Sequence, residues 1–286
     1  MSLSDFGLYF WCMVKNTLML LMFVAFYNSA IAQQSISGKV VDADKKGIPY
    51  VNIGIKGGKN GTVSTTNGDF VLNVNDELLK DSVTFSSIGF KEQRFLIKDL
   101  IANHKLIITL TEKIAVLNEV RVTNAKRKMR KLGITGRTPM VSIPTSSLQS
   151  SDVFEQARLI HLKSPAKIIN ANIFIISNDQ REVNIRVNFY AFKNGLPAER
   201  LIEKSIIKKT KVNKGWLSID LSADDIYIDD DFVVSFEYLP EEKKDYKRIV
   251  FGAKLGASDS WIRNSSLGIW RKNELGGATI YVTAEM

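Results

Sequence analysis

The sequence contains few of the residues that metal sites and nucleophilic enzymes require. Its 286 residues include one cysteine, Cys12, and two histidines, His104 and His161. A single cysteine excludes both an internal disulfide framework and a zinc site built on several cysteines. Neither histidine lies in an H-E-x-x-H pattern, and no serine lies in a G-x-S-x-G pattern. We therefore predict that the protein is not an enzyme; a hydrolase with an unrecognised site is the alternative.

Long hydrophobic runs are scarce as well. One run near the start, Thr17–Tyr27, holds only apolar or small residues, follows Lys15 and precedes Ala30-Ile31-Ala32. It is too short to cross the roughly 30 Å hydrocarbon core of a bilayer as a helix. This order of charge, apolar run and small residues is typical of a secretory signal peptide. Residues 1–32 are therefore predicted to be a signal peptide that is cleaved before Gln33.

An uncleaved membrane anchor that also uses Phe6–Val14 is the alternative to a cleaved signal peptide. Met13 would be a more typical first residue than Met1, and in that case the protein would lack Cys12. Under both interpretations the protein is exported. We predict that it is located in the periplasm or associated with the outer membrane.

Basic residues outnumber acidic ones, but the excess is confined to one segment. The chain has 39 lysines and arginines against 30 aspartates and glutamates, a formal net charge of +9. Residues 113–150 alone account for +7 of this charge. Because the rest of the chain is nearly neutral, nucleic-acid binding is not indicated. The pattern predicts an exposed basic linker between two domains.

Residues 33–112 show the alternation of apolar and polar side chains that is typical of half-buried strands. Asn67-Gly68 separates two of the apolar runs and predicts a hairpin, because both residues tolerate a positive φ. Short strands over about 80 residues favour a β-sandwich. The alternating apolar positions are Val51, Ile53, Ile55, Phe70, Leu72, Val74, Leu106, Ile108 and Leu110.

Residues 151–286 repeat this pattern with longer strands and predict a jelly-roll-like antiparallel β-sandwich. Only Asp152–Arg158 is predicted to be helical, and Trp216 is predicted to lie in the core. In one strand the apolar residues Val183, Ile185, Val187 and Phe189 face one way, while Arg186, Asn188 and Tyr190 face the other.

The motifs of the first domain resemble those of the carboxypeptidase regulatory-like domain, a transthyretin-like or Ig-like β-sandwich found in envelope proteins of Bacteroidetes. They occur in the order that this family shows, and the resemblance covers residues 35–112. It implies an all-β fold and no peptidase activity of its own. The motifs are Gly38–Asp42, Gly47–Ile53, Gly61–Leu72 and Ser86–Phe90.

The segment Leu117–Thr123 is similar to the one that joins this domain to the rest of TonB-dependent receptors. The residues that follow are too few for the remainder of such a receptor. The main prediction is therefore an exported binding or structural module that contacts an envelope protein or a glycan. An accessory component of a TonB-dependent uptake system is the alternative.

Two tryptophans near the C-terminus suggest a ligand-binding rim. An exposed tryptophan beside amide and arginine donors is the composition of a sugar- or peptide-binding edge. The alternative is that both tryptophans pack beneath the loops. The candidate residues are Trp261, Arg263, Asn264, Trp270 and Arg271.

Two charged clusters are weaker candidates. Asp229, Asp230 and Asp231 could hold a structural calcium ion, although they lack the D-x-D-x-D-G spacing and aspartate is common in turns. The basic segment could contact anionic lipid or the phosphate groups of lipopolysaccharide; a solvated tether is the alternative. Its candidate residues are Lys126, Arg127, Lys128, Arg130 and Lys131.

Overall fold

Strands account for most of the secondary structure. The computed structural model describes residues 11, 13–15, 17, 34–103, 106–113, 128–145, 151–240 and 248–286. None of the helices in these ranges is long and apolar enough to span a membrane. The predicted signal peptide, His104, Leu117–Thr123, Lys126 and Arg127 fall wholly or mostly outside them.

The strands of the first domain are followed by those of the second. The first has β1 (Gln34–Val41), β2 (Asn52–Gly54), β3 (Gly61–Val63), β4 (Asp69–Val74), β5 (Ser82–Ser86), β6 (Gln93–Leu96), helix α1 (Ile97–Ile101) and β7 (Leu106–Thr109). The second has β8 (Met129–Gly133), β9 (Ser142–Pro144), β10 (Phe154–Ile160), β11 (Ala166–Ile175), β12 (Glu182–Lys193), β13 (Leu196–Arg200), β14 (Ile206–Lys211), β15 (Gly215–Asp220), β16 (Tyr227–Ile228), β17 (Phe232–Leu239), β18 (Val250–Leu255), β19 (Ser260–Arg263), β20 (Arg271–Lys272), β21 (Gly276–Ala278) and β22 (Ile280–Glu285). Two 3-10 turns lie at Asp76–Leu78 and Ser222–Asp224.

The first domain packs a three-stranded sheet, in the order β4-β1-β7, against a four-stranded sheet, in the order β3-β2-β5-β6. Its core includes the predicted positions Val51, Ile53, Phe70 and Leu72. Gly68 has φ +87° in the predicted hairpin, and a Cβ at this position would lie 2.4 Å from the Val40 carbonyl oxygen. Glycine is therefore required at this turn for two independent reasons.

The second domain is a sandwich of larger sheets. The seven-stranded sheet has the order β13-β12-β17-β10-β19-β20, with β14 paired to β12. The eight-stranded sheet contains β21, β18, β11, β22 and β8 in order, with β15 and β16 paired to β11 and β9 paired to β18. Apolar residues of β11, β12, β17 and β22 fill the space between the two sheets. The predicted all-β class is confirmed.

Part of the predicted basic linker belongs to this second sandwich. Strand β8 pairs with β22, and β9 pairs with β18, so 113–150 is not a free tether at these positions. Leu132 packs against the core while the backbone of β8 completes an edge of the eight-stranded sheet. The sequence did not predict this strand, because Leu132 is its core-facing residue and two basic residues, Arg130 and Lys131, come directly before it.

The first domain docks on the outer face of the seven-stranded sheet. The Val63 amide donates to the Ser151 carbonyl (3.1 Å), and the Gly57 amide donates to the Leu267 carbonyl (2.8 Å). Val63 also packs with two residues of the second domain, Val153 and Leu239. The described contacts between domains thus involve the seven-stranded sheet and its loops, which leaves the outer face of the eight-stranded sheet uncovered by the first domain.

Candidate functional site

A row of four charged side chains crosses the outer face of the seven-stranded sheet. Arg186 of β12 lies opposite Glu237 of β17, which lies opposite Glu155 of β10, which lies opposite Arg263 of β19. We call these four residues the ionic row. Arg186 Nη1 is 3.1 Å from Glu237 Oε2, and Arg263 forms an ion pair with Glu155. Both carboxylates are completely buried, each with an arginine on its outer side.

The first domain bonds to one half of the ionic row, Arg186 and Glu237. Asn52 donates from Nδ2 to Glu237 Oε1 (3.2 Å), and Arg186 donates from Nη2 to the Tyr50 carbonyl (2.7 Å). Within the second domain, Asn188 Nδ2 bridges Glu155 and Glu237 at 3.0 and 3.1 Å. Buried ionised groups require such pairing, because an unpaired buried charge is costly. The row therefore joins the two domains through Arg186 and Glu237.

The surrounding arginines determine the charge of the row. Burial by itself raises the pKa of the Glu237 carboxyl group, but three nearby guanidinium groups, those of Arg186, Arg200 and Arg263, lower this pKa to about 2. Burial together with the Glu155 charge raises the pKa of the Tyr190 hydroxyl group to about 12. Glu237 is thus charged and Tyr190 neutral near neutral pH.

The sequence predicted the outward position of Arg186 but not the other members of the ionic row. Alternation correctly placed Arg186 away from the core, but its partners depend on strand register. Asp152–Arg158 was expected to be helical, and this prediction is wrong because Phe154–Ile160 is strand β10, paired on both sides. Glu155 is therefore at the centre of the sheet.

Asp152 is a second buried carboxylate at the domain junction. Its Oδ1 accepts hydrogen bonds from the amides of Val153 and Ser266, both at 2.8 Å. Its Oδ2 has no hydrogen-bond partner among the described residues and lies 2.7 Å from where a Cβ on Gly61 would be. Burial outweighs these hydrogen bonds and raises the pKa of Asp152 to about 6.

We expect Asp152→Asn to remove a pH dependence of stability. Because the folded-state pKa of about 6 exceeds the ordinary aspartate pKa of 3.8, the stability that Asp152 contributes is complete below pH 3.8. It is lost as pH rises through 6, by up to about 3 kcal/mol. Urea denaturation across this range should show the Asn variant gaining on the wild type as pH rises. Exposed Asp44→Asn is the control, and parallel curves for Asp152→Asn and wild type would contradict the assignment.

The predicted ligand-binding rim near the C-terminus is not exposed as a unit. Trp261 is 1% exposed and Arg263 belongs to the ionic row, so the expectation of an exposed rim is wrong for these two residues. Trp270 is half-buried, with the Arg263 guanidinium 4.5 Å from its ring centre. Arg271 donates to Asn264 at 2.6 Å nearer the surface. The alternative of tryptophans packed beneath loops describes Trp261.

The predicted calcium residues do not converge. Asp231 accepts from the Leu162 amide (2.8 Å) and contacts His161 Nδ1 (2.6 Å), whereas Asp230 accepts from the Asp231 amide. Asp229 is exposed. Among the described residues, no group of three or more histidine, cysteine, aspartate or glutamate side chains could hold a metal ion.

Three aromatic side chains lie together on the outer face of the eight-stranded sheet. Trp216 packs edge to face on Phe174 (centroids 5.4 Å apart) and on Tyr281 (4.7 Å). Lys131 Nζ lies 5.2 Å from the Tyr281 ring centre, and Arg137 Cζ lies 5.3 Å from that of Phe174. We call these five residues the aromatic face. Trp216 is 39% exposed, so its predicted core position is wrong.

Alternation in β15 explains this exposure. Leu217 and Ile219 pack on the core, so Trp216, Ser218 and Asp220 point to the other side of the sheet. This signal was present in the sequence, but it required the inward side of β15 to be known. Cross-strand neighbours supply polar groups beside the rings: Ser218 lies opposite Asn172, and Asp220 opposite Asn170.

Comparison with protein families identifies the first domain. Residues 36–122 match the family model of the CarboxypepD_reg-like domain. The match confirms the family that the sequence motifs predicted for this domain, and it extends ten residues beyond the predicted boundary at residue 112. A comparison with curated proteins found no significant match.

The similarity to solved structures is distant. The cysteine protease and lectin-like domains of Cwp84, a surface layer associated protein of Clostridium difficile, match at 9% identity and a TM-score of 0.36, over 79% of this chain and 46% of that one. An infectious bursal disease virus structure, Gx strain, matches at 10% identity and a TM-score of 0.28, over 84% and 60%. The chain spans about half the length of the Cwp84 chains that it matches. These scores are too low to indicate a shared function.

Proposed function

Because the first sandwich is a CarboxypepD_reg-like domain, docked on a second sandwich that has one face uncovered, we propose that the protein is an exported, non-enzymatic binding module of the cell envelope. Its ligand is a glycan, bound on the aromatic face. The observation that carries this proposal is the exposed Trp216 ring beside the hydrogen-bonding side chains of the same sheet.

A pyranose ring has apolar C–H faces and a rim of hydroxyl groups. An exposed aromatic ring can cover the apolar face, and neighbouring hydroxyl or carboxamide groups can bond to the rim. Ser218 and Asp220 follow Trp216 on the same side of β15 and are exposed, so they lie where hydroxyl groups of a stacked sugar need partners. Asn170 is opposite Asp220 and is half-buried. The aromatic face therefore combines both requirements.

The two cations of the aromatic face favour an acidic sugar. Lys131 and Arg137 approach the surface from opposite ends of the aromatic group, over Tyr281 and Phe174. Gly252 makes room for this arrangement, since a Cβ there would lie 3.0 Å from Phe174 Cδ1 and 3.2 Å from Arg137 Cδ. A carboxylate on a stacked sugar would gain charge-assisted hydrogen bonds from either cation. We therefore expect a preference for uronic-acid glycans.

The ionic row gives the first domain its role in this proposal. It fixes that domain against the sheet opposite the ligand face, because Arg186 donates to the Tyr50 carbonyl and Asn52 donates to Glu237. The first domain thus acts as a docked spacer that leaves the aromatic face free. A partner bound by the first domain would be held in a fixed orientation to the glycan.

Native gel electrophoresis with polysaccharide in the gel tests the proposal. We expect polygalacturonate to retard the protein strongly and neutral hydroxyethyl cellulose to retard it weakly, because only the former supplies carboxylates for Lys131 and Arg137. Added salt should reduce the difference without abolishing binding, since ring stacking is not screened.

A charge-matched polyanion without sugar rings, polyacrylate, is the control for this experiment. Equal retardation by polyacrylate and polygalacturonate would show that net positive charge alone drives binding and would contradict the proposal. No retardation by either polysaccharide would also contradict it.

A further inference from the structure

A basic pocket lies at one edge of the second sandwich, between β8 and the loop that follows β10. It has a volume of about 770 Å³, within the roughly 300–1,000 Å³ typical of small-ligand sites. The pocket joins two parts of the chain that are distant in sequence. Its lining residues are Lys128, Met129, Arg130, Lys131, Leu132, His161, Lys163, Ser164 and Met286.

Four basic residues line this pocket: Lys128, Arg130, Lys131 and Lys163. Among the described residues, no ion pair involves Lys128, Arg130, Lys131 or Lys163. The nearby carboxylate of Asp231 is already engaged by His161 and by the Leu162 amide. Like charges held together repel one another unless an anion neutralises them. An anion in the pocket would reduce this repulsion.

Hydrogen bonds fix the backbone on both sides of the pocket. Strand β8 pairs with β22 over its whole length, and the Lys128 amide donates to the Met286 carbonyl at 2.7 Å. On the other side, the bonds of Asp231 to His161 and Leu162 fix the start of the loop that carries Lys163 and Ser164. The basic residues of β8 thus belong to one wall of a formed pocket.

We propose that this pocket binds a phosphomonoester group. A phosphate dianion carries enough charge for several cations and accepts hydrogen bonds on three oxygens. The pocket supplies ammonium groups, the planar guanidinium of Arg130 and the hydroxyl group of Ser164. With Nδ1 of His161 engaged by Asp231, Nε2 is the ring nitrogen left for a ligand.

The phosphate site is separate from the proposed glycan site, although Lys131 borders both. Two sources fit its chemistry: a phosphate on a lipid headgroup at a membrane, and a soluble phosphate. Inorganic phosphate and phosphatidylcholine vesicles with or without phosphatidic acid are therefore the probes.

The test compares Arg130→Gln/Lys163→Gln with Lys91→Gln/Lys98→Gln, which removes the same charge from exposed positions of the first domain. Titration calorimetry and vesicle flotation should show the wild type binding inorganic phosphate, phosphatidic acid vesicles or both. The pocket variant should bind at least tenfold more weakly, and the control should match the wild type.

Binding of phosphatidic acid vesicles, with inorganic phosphate competing for the same site, would indicate a lipid source. Binding of inorganic phosphate without binding of these vesicles would indicate a soluble one. Equal losses in the pocket variant and the control, or no binding of either probe by the wild type, would overturn the proposal. Trp216→Ala should keep phosphate binding, so failure of the glycan proposal would leave this result unchanged.

Discussion

Glu237→Gln is expected to lower the free energy of unfolding by about 3–5 kcal/mol, the cost typical of removing one partner from a buried ion pair. Glu237 is completely buried and bonds to Arg186, Asn188 and Asn52. Without its charge, Arg186 remains buried with no compensating carboxylate directly opposite. Glutamine keeps the shape of the side chain, so the loss reports on charge and not on a cavity.

Urea denaturation of the full chain measures this loss. The matched control is Glu92→Gln, which breaks the exposed Lys56–Glu92 pair (2.9 Å) in the first domain and should cost less than about 1 kcal/mol. The double variant Glu237→Leu/Arg186→Met should recover much of the stability, because it removes both charges of the pair. Equal losses for Glu237→Gln and Glu92→Gln would show that the ionic row does not stabilise the domain junction.

Trp216→Ala is expected to weaken polygalacturonate binding at least tenfold, or by about 1.4 kcal/mol, as for a central aromatic contact in an interface. The change leaves the net charge unaltered, so general electrostatic attraction predicts no effect. Stability should change little, because Trp216 is partly exposed on an edge strand.

Leu275→Ala, which removes an exposed apolar side chain outside the aromatic face, is the control for this variant. It should bind polygalacturonate as the wild type does. An unchanged dissociation constant for Trp216→Ala in affinity electrophoresis would show that the aromatic face does not bind the polysaccharide.

Local patterns were sufficient to predict the first domain and the strands with clear alternation. Alternation located Phe70 and Leu72 in the core, and Asn67-Gly68 located a hairpin, because both signals act within a few residues. The ionic row required more information, since Glu155 meets Glu237 only through the register of β10 and β17. Propensity alone wrongly favoured a helix for this segment.

A difference between the two sheets explains two other errors: the outer face of the seven-stranded sheet is covered at Trp261, whereas that of the eight-stranded sheet is exposed at Trp216. Trp261 was considered for an exposed rim, but the outer face of its sheet is covered by Phe192 and Trp270. Trp216 was assigned to the core, although it lies on a sheet face without such a cover. The sequence indicates alternation within each strand but not which face a second layer will cover.

The basic segment shows the same limit. Its charge favoured a solvated linker, whereas strand pairing places Lys128, Arg130 and Lys131 along the wall of a pocket. Lys163 and Ser164 complete this pocket from a distant part of the chain. Local composition does not reveal which distant segment will face a strand.

The most direct test of the central claim, that the aromatic face binds a glycan, is fluorine NMR of the protein labelled with 5-fluorotryptophan. The three tryptophans that follow the predicted signal peptide, Trp216, Trp261 and Trp270, should give separate signals, each assigned with a tryptophan-to-phenylalanine variant. Titration with trigalacturonate should shift the Trp216 signal and leave those of Trp261 and Trp270 unchanged. A shift confined to Trp261 or Trp270, or no shift at saturating sugar, would contradict the account.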